Sequence, residues 1–496
     1  MKRNRSASLV PSRPAAAGEV PGVSLATKIF YGFGSIAFGV KDNGFTYFLL
    51  IFYNQVIGLP SAMVGLAIMV ALVFDAFIDP VVGQWSDHFS SRWGRRHPFM
   101  YASAIPLGVS YLLLWNPPSG WGQTALFFYL VAVAVLVRTF VTVYEIPSSA
   151  LAAELTSDYD ERTSLVSYRY LFGWLGGISM YYLALQFFLR SGDGSGGIVG
   201  SRAGYSMYGT FSSGLLIFAI LVSAYGTHKR IPFLRSPPHA ALRLSQLVRE
   251  LFETLAHRPF LSILAASVFN ATAIGLVFSS NLYFLNYFWK LSQNDIVLFS
   301  FSSLGAVVLA FALAPWVSRS FEKKPAAMLL IGVSAAITAL PILLRFGGLL
   351  PPDGAAVIAP LLLAQTLLSN AFGITGQILF TSMIADVVDD AERCTGRRQE
   401  GVFFAGAAFV AKAVSGIGIF VSGFLLAAVG FPATVPASGV DPQVLRDFGL
   451  IFVAATFVIN GLTLAFLASY PLTRRSHEET LFALAAATDL VAENES

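Results

Sequence analysis

Long apolar stretches separated by short polar ones dominate this sequence. An α-helix needs about 20 mostly apolar residues to cross the hydrocarbon core of a bilayer, and windows of that length predict roughly twelve spans. The spans, numbered 1 to 12 in chain order, are centred near residues 30–58, 62–87, 98–116, 124–152, 166–190, 208–226, 259–289, 296–318, 326–345, 355–386, 401–429 and 447–470. The pattern therefore predicts an all-α polytopic membrane protein with twelve transmembrane helices.

The composition agrees with this fold class and excludes a soluble globule. Of the 496 residues, 55% are hydrophobic and only 12% are charged, whereas soluble domains carry roughly 25% charged residues. The single cysteine, Cys394, excludes an intramolecular disulfide, and we interpret it as incidental. No short apolar core with a cleavage site follows the basic N-terminal residues, so we expect no removed signal peptide.

The distribution of Lys and Arg predicts the orientation in the membrane. If the N-terminus is inside, the cytoplasmic segments hold 23 of the 32 Lys and Arg residues and the opposite loops hold 5. By the positive-inside rule, this asymmetry places both termini in the cytoplasm, which agrees with an even number of spans. We expect an integral, multi-pass membrane protein, located in the inner (plasma) membrane if the source is bacterial.

The polar stretches divide the chain into five segments. The basic turn after span 8, WVSRSFEKKP, weakly repeats the turn after span 2, as expected of two six-helix halves. The linker between the halves contains HAALRLSQLVRELFETL, an amphipathic stretch that we expect on the inner membrane face. The predicted segments are a flexible cytoplasmic arm (1–27), a six-helix bundle (28–226), a cytoplasmic linker (227–258), a second six-helix bundle (259–470) and a cytoplasmic tail (471–496).

Span 2 carries two carboxylates next to an almost wholly apolar run. Asp75 and Asp79 are four residues apart, so a helix presents both on one face, one turn apart. Two such carboxylates cannot both stay ionised cheaply in hydrocarbon unless a metal cation, a proton or a basic side chain compensates them. We interpret the pair as a cation or proton site. The alternative is that an aspartate only holds a neighbouring helix.

Spans 4 and 11 supply groups that suit such a site. Thr142 and Glu145 share one face of span 4, and Pro147 just after them can free a backbone carbonyl. A hydroxyl, a carboxylate and a carbonyl suit an oxygen-liganded cation or a polyhydroxylated solute. Span 11 contains one charged residue, Lys412, whose ammonium must find an anion within the membrane. The aspartates of span 2 are its predicted partners.

Other polar residues also lie at membrane depth. Lys41 and Asp42 are adjacent and diverge by about 100° around the helix, so we expect at least one to face a wet cavity or a partner helix. The alternative is a buried ion pair between helices. Arg169 in span 5 either snorkels to the interface or points inward. Several amides could form a cavity wall or only link helices, namely Asn270, Asn281, Asn286 and Gln377.

Charged residues at the predicted cytoplasmic ends of the spans suggest a gate. Asp87 can cap or bond across a helix end, and a basic turn follows it. Much of this turn is a solvated face that sets topology, but Gly, Asp and Arg in that order between spans 2 and 3 suggest a latch. The predicted gate residues are Asp87, Arg92, Arg95, Arg96, Asp386 and Asp389.

Six motifs, spread in order over almost the whole chain, resemble the glycoside-pentoside-hexuronide:cation symporters of the major facilitator superfamily, the group containing melibiose permease. The motifs are YGFGSIAFGVKD in span 1, FDAFIDPVVGQWSD followed by SRWGRRHPF, TVYEIP in span 4, YR in span 5, and MIADVVD with RRQEGVFFAGAAFVAK in spans 10 and 11. The resemblance implies the major facilitator fold, with two six-helix bundles around a central cavity that works by alternating access.

The resemblance also implies how a cation is coupled. Asp75, Asp79 and Thr142 resemble the family's cation site, with Na⁺ possible at the two aspartates, and Lys412 resembles the lysine beside it. The coupling ion would be Na⁺ or H⁺, and no cofactor is expected. Binding of the ion would weaken the attraction between the aspartates and Lys412 and so favour solute binding.

A second set of residues resembles the family's solute site. Asp42 and Glu145 resemble the two acids that hold sugar hydroxyls, with Glu145 replacing the usual aspartate, and Arg169 resembles a cavity-facing arginine. Ser149 and Gln377 stand where the family pattern has aromatic residues, one of which stacks on the sugar ring. Both changes make the site more polar or roomier, which suits another glycoside, an oligosaccharide or a different solute.

The sequence thus predicts a secondary active transporter that couples Na⁺ or H⁺ to symport of a glycoside or another carbohydrate-like solute. One alternative is a cation-coupled transporter of lysophospholipid-like amphiphiles, and another is a membrane receptor that binds solute without moving it. No nucleophile, phosphate loop or metal-ligand spacing points to an enzyme. The expected partners are a small, carbohydrate-like solute and membrane lipid, with no nucleic acid, and we expect a monomer.

Overall fold

The computed structural model describes residues 22–156, 158–190, 200–234, 258–351, 355–395, 400–435, 439–476, 478–480 and 482. Most of the predicted N-terminal arm, the predicted amphipathic linker helix and most of the predicted tail lie outside these residues. The described part of the chain is helical, and its helices correspond one by one to the twelve predicted spans. We number them α1 to α12 accordingly.

The first half of the chain forms α1 to α6. The first helix, α1, has the α-helical segments Leu25–Phe33, Ile36–Asn43 and Leu49–Ile51 and the π-helical turns Gly44–Phe48 and Phe52–Val56, with a further turn at Gly34 and Ser35. The other helices are α2 (Ser61–His88), α3 (His97–Leu114), α4 (Gln123–Leu155), α5 (Tyr159–Leu183, continued by Ala184–Phe188) and α6 (Arg202–His228).

The second half of the chain forms α7 to α12. These helices are α7 (Arg258–Tyr283, continued by Phe284–Phe288), α8 (Gln293–Ser320), α9 (Lys323–Phe346), α10 (Ile358–Thr395), α11 (Glu400–Ala428) and α12 (Pro442–Ala468). Among the described residues, ten helices are individually long and apolar enough to cross a membrane. The two others are α1, which turns interrupt, and α3, which has 18 residues but is less apolar over that length.

Contacts between helices separate the molecule into two six-helix groups. In the first, α4 packs against α2 and α3, α6 against α1 and α3, and α5 against α1. In the second, α7 packs against α11 and α12, α10 against α8 and α9, and α9 against α12. We call these groups the N bundle and the C bundle. They meet mainly where α2 contacts α11 and where α1 contacts α7.

The two bundles are joined at one end of the molecule. We call the end that carries Leu25 and Ala468 the proximal end, and the end that carries the α1–α2 connection, residues 57–60, the distal end. Several hydrogen bonds cross between the bundles at the distal end. The Tyr283 hydroxyl donates to the Asn54 side-chain oxygen at 3.0 Å, and the Gln55 amide donates to the Pro432 carbonyl at 2.8 Å.

The helices α2 and α11 approach most closely toward the distal end. A methyl group on Gly416 would lie 2.8 Å from the Cα atom of Met69, so the backbones touch and only glycine fits there. Farther toward the proximal end, the contact is between two rings, those of Phe77 and Phe409, whose centroids are 5.5 Å apart. The pair of helices is therefore tight at the distal side and looser at the proximal side.

Candidate functional site

A cavity of about 660 Å³ lies between the two bundles. It is lined by residues of α1, α4 and α5 on one side and of α7, α8, α9, α10 and α12 on the other. The lining residues Leu285 and Trp289, near the distal end, are buried, whereas Tyr170 and Trp174 of α5 are 68% and 48% exposed. The cavity is therefore closed distally and open toward the proximal end.

Three charged residues of the N bundle line this cavity, namely Asp42, Glu145 and Arg169. The side chain of Asp42 is 56% exposed although it lies near the middle of α1, so the cavity is where its carboxylate meets water. Arg169 points inward and does not snorkel to the interface. Its guanidinium donates to the Tyr31 hydroxyl at 3.3 Å and lies 5.1 Å from the ring centre of Phe38.

The opposite wall, from the C bundle, is uncharged among the described lining residues. It combines aromatic rings with hydroxyl and amide groups. A solute that contacts both walls would meet acids and an arginine on one side, and apolar rings and neutral hydrogen-bonding groups on the other. The polar and aromatic members of this wall include Phe278, Asn281, Trp289, Ser303, Thr338, Gln365 and Asn370.

The two positions that depart from the family pattern lie in different places. Ser149 lines the cavity, and its hydroxyl donates to the Ile146 carbonyl at 2.8 Å. Gln377 is outside the cavity lining: its side-chain oxygen accepts a hydrogen bond from the Asn270 amide at 2.6 Å, which links α10 to α7. The side-chain oxygen of Gln377 is thus used between helices although the residue is exposed, and the expectation that Gln377 faces the solute stays a prediction. Of the other predicted amides, Asn281 lines the cavity.

The residues of the predicted cation site converge between α2, α4 and α11. The Thr142 hydroxyl oxygen lies 2.7 Å from Asp75 Oδ1 and 2.9 Å from Asp79 Oδ1. The Lys412 ammonium nitrogen lies 3.0 Å from Asp75 Oδ2 and 2.6 Å from Asp79 Oδ2. The predicted pairing of Lys412 with both aspartates is thus present. Asp75 is 1% exposed, whereas the Asp79 side chain is 22% exposed.

Sequence reasoning gives no role to Arg138, yet Arg138 is part of the same cluster. Its Nη1 atom lies 3.5 Å from Asp75 Oδ2 and 3.9 Å from Asp42 Oδ1, and the residue is 5% exposed. The guanidinium also lies 4.5 Å from the ring centre of Phe45. A signal was available, since Arg138 precedes Thr142 by four residues and so shares its face of α4.

Lys41 and Asp42 pair with each other despite their divergence around the helix. The Lys41 ammonium lies 2.6 Å from Asp42 Oδ1, because the long lysine side chain can bend back along α1. Lys41 itself is 2% exposed. Asp42 thus faces the wet cavity, and its carboxylate is also held by a buried ammonium of the same helix, whereas the stated alternative was an ion pair between helices. Because Asp42 lies near Arg138 as well, the cavity and the cation site share charged contacts.

The predicted gate residues of the N bundle form contacts within that bundle. Arg96 pairs with Asp87 and, through Nε, donates to Glu154 Oε1 at 2.9 Å. Arg95 donates to the same Glu154 oxygen at 3.0 Å. The Arg92 guanidinium lies over the ring of Trp93. Glu154, which sequence reasoning did not single out, is 5% exposed and connects α4 to the turn between α2 and α3.

The predicted gate residues of the C bundle lie on α10. The Lys323 ammonium at the start of α9 donates to both carboxylate oxygens of Asp386, at 2.7 and 2.8 Å. Asp389 is half-buried on the same helix. The ion pairs of the predicted gate residues thus link elements within the N bundle and, separately, within the C bundle. They lie at the proximal end, where the cavity is open.

Glu154→Gln is expected to lower the free energy of unfolding by about 3–5 kcal/mol, because the change leaves two largely buried arginines without their shared carboxylate. The measurement is equilibrium unfolding in mixed detergent micelles. The matched control is Glu478→Gln, whose ion pair with Arg474 is exposed and is expected to contribute less than about 1 kcal/mol. Equal losses in the two variants would contradict a special role for Glu154.

Comparison of the sequence with known proteins places the chain among transport proteins. Residues 30–474 match the family described as MFS/sugar transport protein. The isoprimeverose transporter of Lactiplantibacillus pentosus is 26% identical, over 93% of this chain and 92% of its own. The sodium-dependent lysophosphatidylcholine symporter 1 of Xenopus tropicalis is 23% identical, over 93% and 90% of the two chains.

A solved structure shows the same fold. A point mutant of the nucleoside transporter NupG superimposes with a TM-score of 0.62 at 14% identity, over 90% of this chain and 99% of that chain. The fold class and the family that the six motifs predict are both confirmed. The chain therefore belongs to the MFS/sugar transport protein family, the glycoside-pentoside-hexuronide:cation symporters of the major facilitator superfamily, and is a multi-pass membrane transporter and not an enzyme.

Proposed function

We propose that this protein moves a small, carbohydrate-like solute across the membrane together with a cation, by alternating access to the cavity between its bundles. One observation carries the proposal: the cavity and the cation site are connected by charged contacts. Asp42 lines the cavity and lies 3.9 Å from Arg138, which in turn lies 3.5 Å from Asp75 in the cation site. A change of charge at one site therefore acts on the other.

The cavity wall of the N bundle supplies the groups that a sugar needs. The carboxylates of Asp42 and Glu145 accept hydrogen bonds from hydroxyl groups, and the Arg169 guanidinium donates them. The opposite wall offers aromatic surfaces, such as the rings of Phe278 and Trp289, to the apolar faces of a sugar ring. Because Ser149 is small, the cavity keeps room beside Glu145 for a second sugar unit or a substituent.

Coupling follows from the position of Lys412, which belongs to the C bundle while its partners belong to the N bundle. A cation that neutralises Asp79 weakens the contact with Lys412 and so loosens a link between the bundles. This coupling is reciprocal: the cation raises the affinity for solute by the same factor as solute raises the affinity for the cation. The proximal end, where the cavity opens, faces the cytoplasm by the positive-inside rule.

A transporter of lysophospholipid-like amphiphiles is the second candidate, because one relative of similar identity is a lysophosphatidylcholine symporter. The apolar rings of the C-bundle wall would suit an acyl chain. The exposed carboxylate of Asp42 favours hydroxyl groups instead. Competition of solute binding by lysophosphatidylcholine, with no competition by sugars, would support the amphiphile over the carbohydrate.

The test is counterflow of labelled mono- and oligosaccharides in proteoliposomes, screened with and without Na⁺ at two pH values. For the sugar identified, Glu145→Gln is expected to weaken binding at least about tenfold, since a charged hydrogen-bond acceptor becomes a neutral one. The matched control is Asp295→Asn at the start of α8, away from the cavity lining, which should leave binding unchanged. Absence of counterflow with every sugar would overturn the carbohydrate proposal.

A further inference from the structure

The charges of the cation site are balanced by groups of the protein itself. Asp42, Asp75 and Asp79 each have a basic partner within 3.0 Å, and Arg138 lies within 4.0 Å of Asp42 and Asp75. Glu145 acts electrostatically on Lys412 and on Arg169, so both belong to the cluster as well. The cluster thus contains four acids and four bases, namely Asp42, Asp75, Asp79 and Glu145, and Lys41, Arg138, Arg169 and Lys412. An added metal cation would give this cluster a net positive charge within the membrane, which is unfavourable.

The oxygen atoms that could bind a metal ion already have other partners. Asp75 Oδ1 and Asp79 Oδ1 contact the Thr142 hydroxyl, and both Oδ2 atoms contact the Lys412 ammonium. Hard cations such as Ca²⁺ and Mg²⁺ are held by several oxygen ligands, with the charge of the carboxylates directed at the ion. A sodium ion between the two aspartates would have to displace Lys412 while staying close to the Arg138 guanidinium.

Arg138 is held in place as a fixed positive charge. It is 5% exposed, packs against the ring of Phe45, and comes from α4, the helix that also supplies Thr142. Its Nε atom is buried and has no hydrogen-bond partner among the described residues. A guanidinium stays protonated in proteins, so this charge cannot be removed by proton loss. Asp75 is thus provided with a cation that never leaves the site.

We infer that Arg138 takes the place of a sodium ion, so that this transporter neither binds Na⁺ nor responds to it. The inference rests on the proposed function in one respect, because it names the ion of the proposed symport. Of Na⁺ and H⁺, it leaves H⁺ as the coupling ion. Sodium indifference itself is a property of the cluster and needs no solute. It also sets this chain apart from the relative that is named sodium-dependent.

The test is direct measurement of Na⁺ binding to the purified protein in detergent, with no solute present. Binding of ²²Na⁺ and the thermal unfolding temperature are followed while NaCl replaces choline chloride at constant ionic strength. The wild type and Arg138→Lys, which keeps the positive charge, are expected to show no saturable response. Arg138→Gln is expected to gain the saturable Na⁺ binding that the wild type lacks, because the fixed positive charge beside Asp75 is removed.

Two results would overturn the inference. One is saturable Na⁺ binding by the wild type that Asp79→Asn removes. The other is a folded Arg138→Gln protein that stays indifferent to Na⁺. If Arg138→Gln does not fold, Arg138→Met replaces it. If neither variant folds, the Na⁺ titration of the wild type decides alone. Because the expected response is a gain, structural damage cannot imitate it, and because no sugar is used, failure of sugar counterflow leaves this result unaffected.

Discussion

Asp79→Asn is expected to abolish accumulation of solute against its gradient while solute exchange across the membrane continues. Asp79 is the partly exposed carboxylate of the cation site and the nearer partner of Lys412, at 2.6 Å. Without its negative charge, the coupling cation has no group to neutralise, so the ion gradient no longer drives the solute. The measurement compares gradient-driven uptake with counterflow in the same proteoliposomes. Uptake should fall to the equilibrium level.

The control for this prediction is Asp447→Asn, which changes an aspartate in the first turns of α12 outside both the cavity lining and the cation site. It should leave uptake unchanged. If Asp75→Asn together with Asp79→Asn left accumulation intact, the cation would have to bind elsewhere, and the coupling proposed for Lys412 would be wrong.

Asp75→Asn is expected to lower the free energy of unfolding by about 3–5 kcal/mol, the usual effect of removing one partner from a buried ion pair. Asp75 is 1% exposed, and its Oδ2 atom contacts both Arg138 and Lys412. The neutral amide would leave the guanidinium of Arg138 with only the more distant carboxylate of Asp42, at 3.9 Å. Equilibrium unfolding in mixed detergent micelles measures the loss.

A second substitution tests whether the charge imbalance causes that loss. Asp75→Asn combined with Arg138→Gln restores neutrality, so the double variant should be more stable than the sum of the two single losses predicts, by roughly 1–3 kcal/mol. Strictly additive losses would show that the two side chains do not interact. Arg446→Gln serves as the matched control for the arginine, since Arg446 is exposed in α12.

The sequence locates the helices well because the bilayer imposes a local requirement. Each span must satisfy its own backbone hydrogen bonds and be apolar over about 20 residues, and both conditions can be tested one window at a time. The π-helical turns of α1, at Gly44–Phe48 and Phe52–Val56, were not predicted. They depend on how neighbouring helices pack, and no residue type specifies them.

The candidate site was partly predictable for a different reason. A charge within the membrane must find a partner, so unmatched residues on separate helices, such as Asp79 and Lys412, can be assigned to each other. This rule fails where several partners are available. Arg138 shares a face of α4 with Thr142, but more than one acid could be its partner, so its contact with Asp75 is visible only once α2 and α4 are packed. The bond between Asn270 and Gln377 is likewise visible only once α7 and α10 are packed.

The tight contact between α2 and α11 makes these helices a lever with its pivot near Met69. Along α2, Asp75 lies about 9 Å and His88 about 28 Å from this pivot, at 1.5 Å per residue. If α2 tilts as a rigid rod, a movement of about 6 Å at His88 therefore shifts Asp75 by about 2 Å. Such a shift is comparable to the 2.6–3.0 Å contacts of Lys412. Breaking of the Lys412 contacts and a wide movement of α2 at the membrane surface would therefore occur together.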